Sequence, residues 1–180
     1  MNTTEWFDVV NERDEVIGRA PRGEVHGRRL RHRAVHVLVF NARGQLFLQK
    51  RSQQKDREPG VWDSSASGHV DAGEDYDAAA VRELQEELGV RAHAPPERWF
   101  KLEACPETDQ EFVWVYRLRH EGPFVWPPEE IEDGAWFDPA VVSRWVRQQP
   151  GVFAQAFRHL WAEVERRGLA SRAATPQALR

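Results

Sequence analysis

The sequence predicts an α/β or α+β fold in which a mixed β-sheet is sandwiched between helices. Segments typical of strands and segments typical of helices are intermixed along the chain, as expected for elements that share one core. The segment Arg33–Phe40 is apolar on both faces, as a central strand covered on each side would be. The clearest helix, Tyr76–Leu88, has one apolar stripe and therefore packs against another layer.

The first third of the chain predicts strands. The apolar run Trp6–Val10 and the run Val16–Ile17 flank a polar turn, which indicates an N-terminal β-hairpin. Pro21–Gly27 could hold one helical turn. After the central strand and a turn, Gln45–Arg51 returns as its partner strand.

The helix Tyr76–Leu88 places Val81, Leu84 and Leu88 at i, i+3 and i+7, and Gly89 stands where a C-terminal cap belongs. The remaining elements follow in order. Strands are expected at Arg98–Glu103, Glu111–Arg119 and Gly134–Phe137, and C-terminal helices at Pro139–Gln149 and Val152–Arg167. Residues 1–168 are expected to form a single domain. Residues 169–180 have no periodic apolar pattern and are expected to form a flexible tail.

Composition narrows the class of protein. A chain of 180 residues is long enough for one core. A net charge of −4 argues against binding to a nucleic-acid polymer, although a divalent cation could still bring in a small anion. One cysteine excludes an intramolecular disulfide and a thiolate zinc cage. Neither a signal peptide nor an apolar run of about 20 residues is present, so we expect a cytoplasmic protein without a membrane span.

The segment Gly68-His-Val-Asp-Ala-Gly-Glu74, followed after seven residues by Arg82-Glu83-Leu-Gln-Glu-Glu-Leu-Gly-Val90, carries the chemistry. On a helix, Glu83, Glu86 and Glu87 at i, i+3 and i+4 project to one side, roughly opposite the apolar stripe. Crowded carboxylates repel one another unless a cation lies among them, and such oxygen ligands suit Mg²⁺ or Mn²⁺. Taken alone, a glutamate-rich helical face is more often an ordinary solvated surface.

The spacing of the whole segment, from Gly68 to Val90, argues against an ordinary solvated surface. The segment resembles, at every specified position, the signature of the Nudix family, and a chance match would arise on the order of once in ten million chains of this length. The resemblance implies a loop–helix–loop on a mixed sheet, with Glu83, Glu86 and Glu87 as metal ligands. It adds the carbonyl of Ser67 as a further ligand and an Arg82–Glu74 ion pair that orients the glutamates.

The chemistry implied is metal-dependent hydrolysis of the diphosphate linkage in a nucleoside diphosphate derivative or a similar small molecule. The ions would neutralise charge on the diphosphate and lower the pKa of water, and a carboxylate would take its proton. The expected catalytic residues are Glu83, Glu86, Arg82 and Glu111.

Outside this signature, Leu46–Ser52, Pro59–Trp62 and Ser67–His69 resemble the isopentenyl-diphosphate isomerase branch of the same superfamily. That resemblance implies that Arg51 and Lys55 bind the substrate diphosphate, although each could equally be a surface cation. Asp109-Gln110-Glu111 aligns with an acidic pair of the isomerase site, so Glu111 could be a fourth metal-binding carboxylate.

Two departures argue against isomerase activity. Ser67 stands where the isomerases need a cysteine, and a serine hydroxyl is a poor substitute in proton transfer. The glutamate signature, which tends to be eroded in the isomerases, is complete here. His26, His32 and His69 fall near isomerase metal histidines, but the alignment is off by one at the first two, so only His69 is carried forward, as a substrate-binding residue.

Several other residues favour structural interpretations. His36, within a strand, is interpreted as a satisfied core histidine. Cys105 is interpreted as inert. The tryptophans in or near strands could stack on a ring but are more often packing residues; they are Trp62, Trp99, Trp114, Trp126 and Trp136.

Three hypotheses remain: the hydrolase, an effector sensor of the same fold that binds without cutting, and the isomerase. The complete glutamate set favours the hydrolase, since sensors usually lose one or more of these residues. The loops Ser52–Gly60, Ala92–Glu97 and Glu121–Ile131 are expected to select the substrate. The N-terminal hairpin could also pair two chains into a homodimer.

Overall fold

A computed structural model of the chain describes residues 5–170. The N-terminal hairpin is present, and both of its strands have the predicted starts. Strand β1 (Trp6–Val10) pairs antiparallel with β2 (Val16–Pro21), which runs further than its apolar residues indicated. The short helix α1 (Arg22–Gly27) follows. Phe7, Ala20 and Val25 bury against one another and join the hairpin to this helix.

The main sheet of the described chain has seven strands and is mixed, as predicted. Its central strand β3 (His32–Phe40) runs parallel to β8 (Glu111–Arg119) and antiparallel to its other neighbours. The other strands are β4 (Leu46–Arg51), β5 (Trp62–Asp63), β6 (Ala66–His69), β7 (Glu97–Leu102) and β9 (Ile131–Phe137). The short strands β5 and β6 were not predicted, because two and four residues carry no readable alternation.

Strand β3 distributes its side chains between two cores, because successive residues of a strand point to opposite faces. Ala34, Leu38 and Phe40 belong to one buried cluster, whereas Val35 and Val37 belong to the other. Helix α2 (Tyr76–Leu88) covers the second cluster. Helices α3 (Pro139–Gln148) and α4 (Gln155–Arg166) cover the first. The predicted arrangement of helices on both faces is therefore confirmed.

Helix α2 begins and ends at the predicted residues, and its caps show why. The side chain of Asp75 accepts a hydrogen bond from the Ala78 amide, and Gly89 closes the helix in the left-handed region at φ 67°. The predicted apolar stripe needs one correction. Val81 is only half-buried, and Ala79, Ala80 and Tyr76 complete the buried face together with the two leucines.

The last helix was predicted to begin at Val152, which is too early. Pro150–Val152 forms a 3₁₀ turn, and Phe153 bridges to Trp62, so α4 begins only at Gln155. A strand-like bridge requires extended backbone, which a helix cannot supply. Leu169 and Ala170, the first residues of the predicted tail, pack against the first cluster. The rest of the predicted tail lies outside the described residues. No helix among residues 5–170 is long and apolar enough to cross a bilayer.

Candidate active site

An open cleft of about 980 Å³ lies where α2, β3, β6 and β8 meet the loops before β5 and before β9. It brings together all the residues to which the sequence assigned catalysis, metal binding or substrate binding. They are Arg51, Lys55, Ser67, His69, Arg82, Glu83, Glu86, Glu87 and Glu111. The cleft has a glutamate end, formed by Glu83, Glu86 and Glu87. Its histidine end consists of His26 and His69, which line the cleft, and the fully buried His32, whose ring packs against both.

At the glutamate end, the three helix carboxylates line the same cleft but differ in exposure. Glu83 and Glu87 are buried, whereas the Glu86 side chain is 58% exposed. The reason is helical geometry, because positions i and i+4 lie almost above each other while i+3 is rotated towards solvent. Two acidic groups thus form part of the buried face of α2.

Arg82 organises this end through both sides of its guanidinium group. Its Nε and Nη2 donate to Glu74 at 3.0 and 2.9 Å, and Nη1 donates to Glu83 at 2.6 Å and to Glu86 at 3.1 Å. Nη2 also donates to the carbonyl of His69 at 2.8 Å. Such a planar fork holds several carboxylates in defined orientations. The ion pair expected between Arg82 and Glu74 is present.

Glu87 is held by neutral groups instead. Its Oε2 accepts hydrogen bonds from the buried side chain of Gln49 and from the backbone amide of Ser67, each at 2.8 Å. Gly68, the first residue of the signature, lies directly under Glu83. A Cβ at this position would come within 2.0 Å of the Glu83 Oε1. The glycine therefore makes room for the carboxylate.

The charges at this end are not balanced by the protein. Burial raises the pKa of Glu87 to about 7. Burial and then the charge of Glu87 raise the pKa of Glu83 well above its usual value, despite the opposing effect of Arg82. Uncompensated carboxylates around one cleft are the ligand set that Mg²⁺ or Mn²⁺ prefers, so these residues fit the implied ion.

At the histidine end, the imidazoles of His26, His32 and His69 meet, although the sequence indicated only His69. One ring nitrogen of each lies within 4.8 Å of the others, a spacing at which the three could hold a metal ion. His32 lies against the carbonyl of Leu30 through Nδ1 at 2.9 Å, while its Nε2 is buried without a hydrogen-bond partner in the described chain. The three rings therefore form one cluster of possible metal ligands.

Two carboxylates support these histidines. Asp109 Oδ2 contacts Nδ1 of His26 at 2.8 Å and Nη1 of Arg57 at 2.5 Å, so both groups can donate to it. Glu111 lies 3.1 Å from Nε2 of His69 and 3.4 Å from that of His32. Burial acts to raise the pKa of Glu111, but these two imidazoles outweigh it and hold the pKa well below the usual range. Phe7 stacks on His69 and forms an apolar wall.

Comparison with known proteins identifies the family of the chain. Residues 30–157 match the model of the NUDIX domain, which covers well over half of the chain. The chain belongs to the Nudix family. Over 144 residues it is 35% identical to an uncharacterised Nudix hydrolase of Yersinia pestis, covering 77% of this chain and 76% of that protein. Over 148 residues it is 34% identical to the Nudix hydrolase YfcD of Escherichia coli K12, covering 79% of each.

The fold agrees with this assignment. The crystal structure of DR0079 from Deinococcus radiodurans is similar to this chain with a TM-score of 0.76 and 32% sequence identity, covering 90% of this chain and 98% of that one. The prediction of a Nudix fold is thus confirmed.

Arg51 and Lys55, the two residues expected to bind substrate, both contact other protein groups within this Nudix domain. Arg51 donates to the carbonyls of Arg57 and Glu58 at 3.0 and 3.1 Å and to Asp63 at 3.3 Å. Lys55 forms an ion pair with Glu130, which also lines the cleft. A substrate phosphate would compete with these acceptors.

Two of the three loops expected to select the substrate reach the cleft. Residues of 52–60 and of 121–131 line it, but none of Ala92–Glu97 does, because that loop follows the far end of α2. The 3₁₀ turn Pro106–Thr108 and the start of α4 line it instead. These segments are distant in sequence and carry no motif, so the chain alone offered no signal for them.

Three further predictions concern single side chains. His36 is buried and hydrogen-bonded to Ser64 at 2.7 Å, as a core histidine would be, yet it also lines the cleft. Cys105 was interpreted as inert from the sequence, which gave no sign that Nε2 of His159 lies 3.8 Å from its Sγ. Helix α4 folds back onto the 3₁₀ turn and brings them together. The five tryptophans pack against the two cores, as expected.

Proposed function

We propose that this chain is a Mg²⁺- or Mn²⁺-dependent diphosphohydrolase whose ion is held by Glu83, Glu86, Glu87 and the carbonyl of Ser67. The observation that carries the proposal is the pair of buried carboxylates at the floor of the cleft. No Lys or Arg of residues 5–170 forms an ion pair with Glu87. Burying an uncompensated carboxylate costs several kcal/mol. This energetic cost is offset when a bound cation is part of the functional state.

Each side chain of the proposed site has a distinct role. When bound, a divalent ion neutralises charge on the diphosphate and lowers the pKa of water. Arg82 bridges Glu83 and Glu86 by donating to both from Nη1 and so fixes their relative positions. Glu86, the carboxylate that solvent reaches, is placed to take a proton from the attacking water. Lys55 and Arg51 line the cleft, where they can exchange their protein acceptors for phosphate oxygens.

The substrate proposed is a small molecule in which a diphosphate links a nucleoside to another group. The cleft lining carries six Lys or Arg side chains among a larger number of carboxylates, which favours a phosphate group arriving with a cation. This composition does not favour a nucleic-acid polymer, which needs a basic surface.

The decisive experiment is phosphate or nucleotide release from a mixed panel of diphosphates, measured with Mg²⁺, with Mn²⁺ and with EDTA. Metal-dependent release from any member supports the hydrolase and rules out the effector sensor. The Glu86→Gln variant should release almost nothing at saturating Mg²⁺. Binding of a panel member without release by wild-type protein would favour the sensor and overturn the proposal.

The histidine end favours a second candidate, isoprenoid isomerisation. Three imidazoles beside Glu111 form a metal-ligand set of the kind the isomerase resemblance implies. Ser67 in place of the isomerase cysteine argues against it. Conversion of isopentenyl diphosphate by wild-type protein but not by Ser67→Ala would support this candidate. Absence of conversion in protein loaded with Zn²⁺, Mn²⁺ or Mg²⁺ would exclude it.

A further inference from the structure

We propose that Gln49 is a positioning residue that ties down one oxygen of Glu87 and leaves the other oxygen facing the divalent ion. The inference rests on the proposed function. Gln49 lies on β4, is fully buried, and is absent from the cleft lining, so it acts through Glu87 and does not touch substrate.

The orientation of the Gln49 amide follows from its neighbours. Its Nε2 lies 2.8 Å from Glu87 Oε2 and 3.5 Å from the carbonyl oxygen of Ser65. Both neighbours are acceptors. A flipped amide would therefore set its own oxygen against two other oxygens, so the nitrogen must face Glu87.

The oxygen of the Gln49 amide indicates that the contact with Glu87 is not there for stability. Oε1 of Gln49 is buried and meets no hydrogen-bond donor among residues 5–170. A buried carbonyl without a donor lowers the stability of a fold. A methionine of the same length would fill the space without that loss, so the amide is explained by its effect on Glu87.

The two donors to Glu87 converge on the same atom. The amide of Gln49 and the backbone N–H of Ser67 both reach Oε2, and no hydrogen bond within the described chain reaches Oε1. Both donors are neutral, so they orient the carboxylate without cancelling its charge. A lysine or arginine in the place of Gln49 would orient it equally well but would compete with the ion.

The test uses Gln49→Met, which keeps the length of the side chain and removes the donor. We expect Mn²⁺ to bind about 10–100-fold more weakly and kcat to fall by a similar factor. The melting temperature should change little, because the lost hydrogen bond to Glu87 is offset by removal of the orphaned carbonyl, and Ser67 still donates to Glu87. Gln49→Asn, whose amide is too short to reach, should behave in the same way if the first variant fails to fold.

The matched control is Gln45→Met. Gln45 also has a side-chain amide that hydrogen-bonds to another side chain, since its Oε1 accepts from Asn41 at 2.9 Å, but it lies outside the cleft lining. Its loss should leave Mn²⁺ binding and kcat unchanged. A double-mutant cycle gives the second test. In a Glu87→Gln background, Gln49→Met should have no further effect on Mn²⁺ binding, because it acts only through Glu87.

Wild-type Mn²⁺ affinity and kcat in Gln49→Met, or an equal loss in both backgrounds, would overturn the inference while leaving the hydrolase proposal intact. If no substrate is cut, Mn²⁺ titration followed by electron paramagnetic resonance still tests Gln49 by itself. Weaker binding accompanied by a lower melting temperature would also count against the inference, since a purely structural residue would produce it.

Discussion

The glutamate end of the cleft takes three carboxylates from little more than one turn of α2, whereas the histidine end gathers its imidazoles from α1, β3 and β6. The electrostatics differ as well. At the glutamate end, burial raises the pKa of two carboxyl groups. At the histidine end, imidazoles and Arg57 accompany Glu111 and Asp109 and hold both pKa values low. One end needs an added cation to be stable when ionised, whereas the two carboxylates of the other end already contact imidazoles or Arg57.

A single cleft can therefore contain one site encoded locally and another assembled from distant segments. They are linked at His69, whose side chain faces Glu111 while its carbonyl accepts from Arg82. Four substitutions test how far the two ends are independent.

The largest effect is expected at the glutamate end. Glu87→Gln should lower turnover by about 1,000-fold or more, because it removes a charge from the ion-binding set without changing its shape. Steady-state kinetics at saturating Mg²⁺ measure it, and circular dichroism checks the fold. Glu97→Gln, on an exposed strand start, is the matched control and should behave as wild type. Near-normal turnover in Glu87→Gln would show that this end is not the active centre.

Gly68→Ala should cost about 100-fold in kcat, since the added Cβ would displace the Glu83 carboxylate by roughly an ångström. Gly151→Ala serves as its control, because nothing lies within 4 Å of a Cβ built there. If both variants hydrolyse equally well, the position of the Glu83 carboxylate does not matter for the reaction.

Asp109→Ala should weaken binding of Co²⁺ at the histidine end by about 10–100-fold, because it removes the carboxylate that orients His26. Visible absorption of Co²⁺ reports the affinity. Mg²⁺-dependent hydrolysis should change by less than about tenfold, and Glu87→Gln should leave this Co²⁺ signal unchanged. A parallel loss of both signals in either variant would show that the two ends form one metal centre.

The smallest effect concerns the hairpin that supplies Phe7 to the histidine end. Asp14 lies between Arg33, Tyr76 and Lys101. Burial acts to raise its pKa, but hydrogen bonds from Lys101, Arg33 and Tyr76 outweigh it and leave the pKa lowered. Asp14→Asn keeps the shape and tolerates the positive φ of this residue. We expect a loss of about 2 kcal/mol at pH 7, which is about 4–8 °C in melting temperature at this chain length.

The sign of the pH dependence follows from the lowered pKa. The stabilisation by Asp14 is fully present above its ordinary pKa of 3.8 and is lost as the pH falls through the lower value in the folded state. The difference between wild type and Asp14→Asn should therefore shrink as the pH falls from about 5 to about 3. Thermal melts at several pH values measure it. A difference that stays constant would mean that the charge of Asp14 does not contribute.

Prediction from sequence succeeded where the signal was periodic and local. The bounds of α2 and β8 were predicted to the residue, since both have long patterns and α2 has recognisable caps. Strands β5 and β6 were missed, although β6 contains Ser67 and Gly68 of the site. A strand of two to four residues is stabilised by its neighbours in the sheet and not by its own alternation.

The spacing of Glu83, Glu86 and Glu87 along the chain was enough to predict the glutamate end, because a helix converts fixed spacing into fixed geometry. Carboxylates three and four residues apart must lie close together wherever the helix is placed. The chain by itself also determined the family, through the spacing of the signature. The histidine end and the hydrogen bond from Gln49 to Glu87 could not be predicted from the sequence, because both depend on the tertiary structure. His26 and His32 meet His69, and Gln49 meets Glu87, through strand register and helix docking. Such contacts between distant segments depend on how the whole sheet packs, and no local pattern records them.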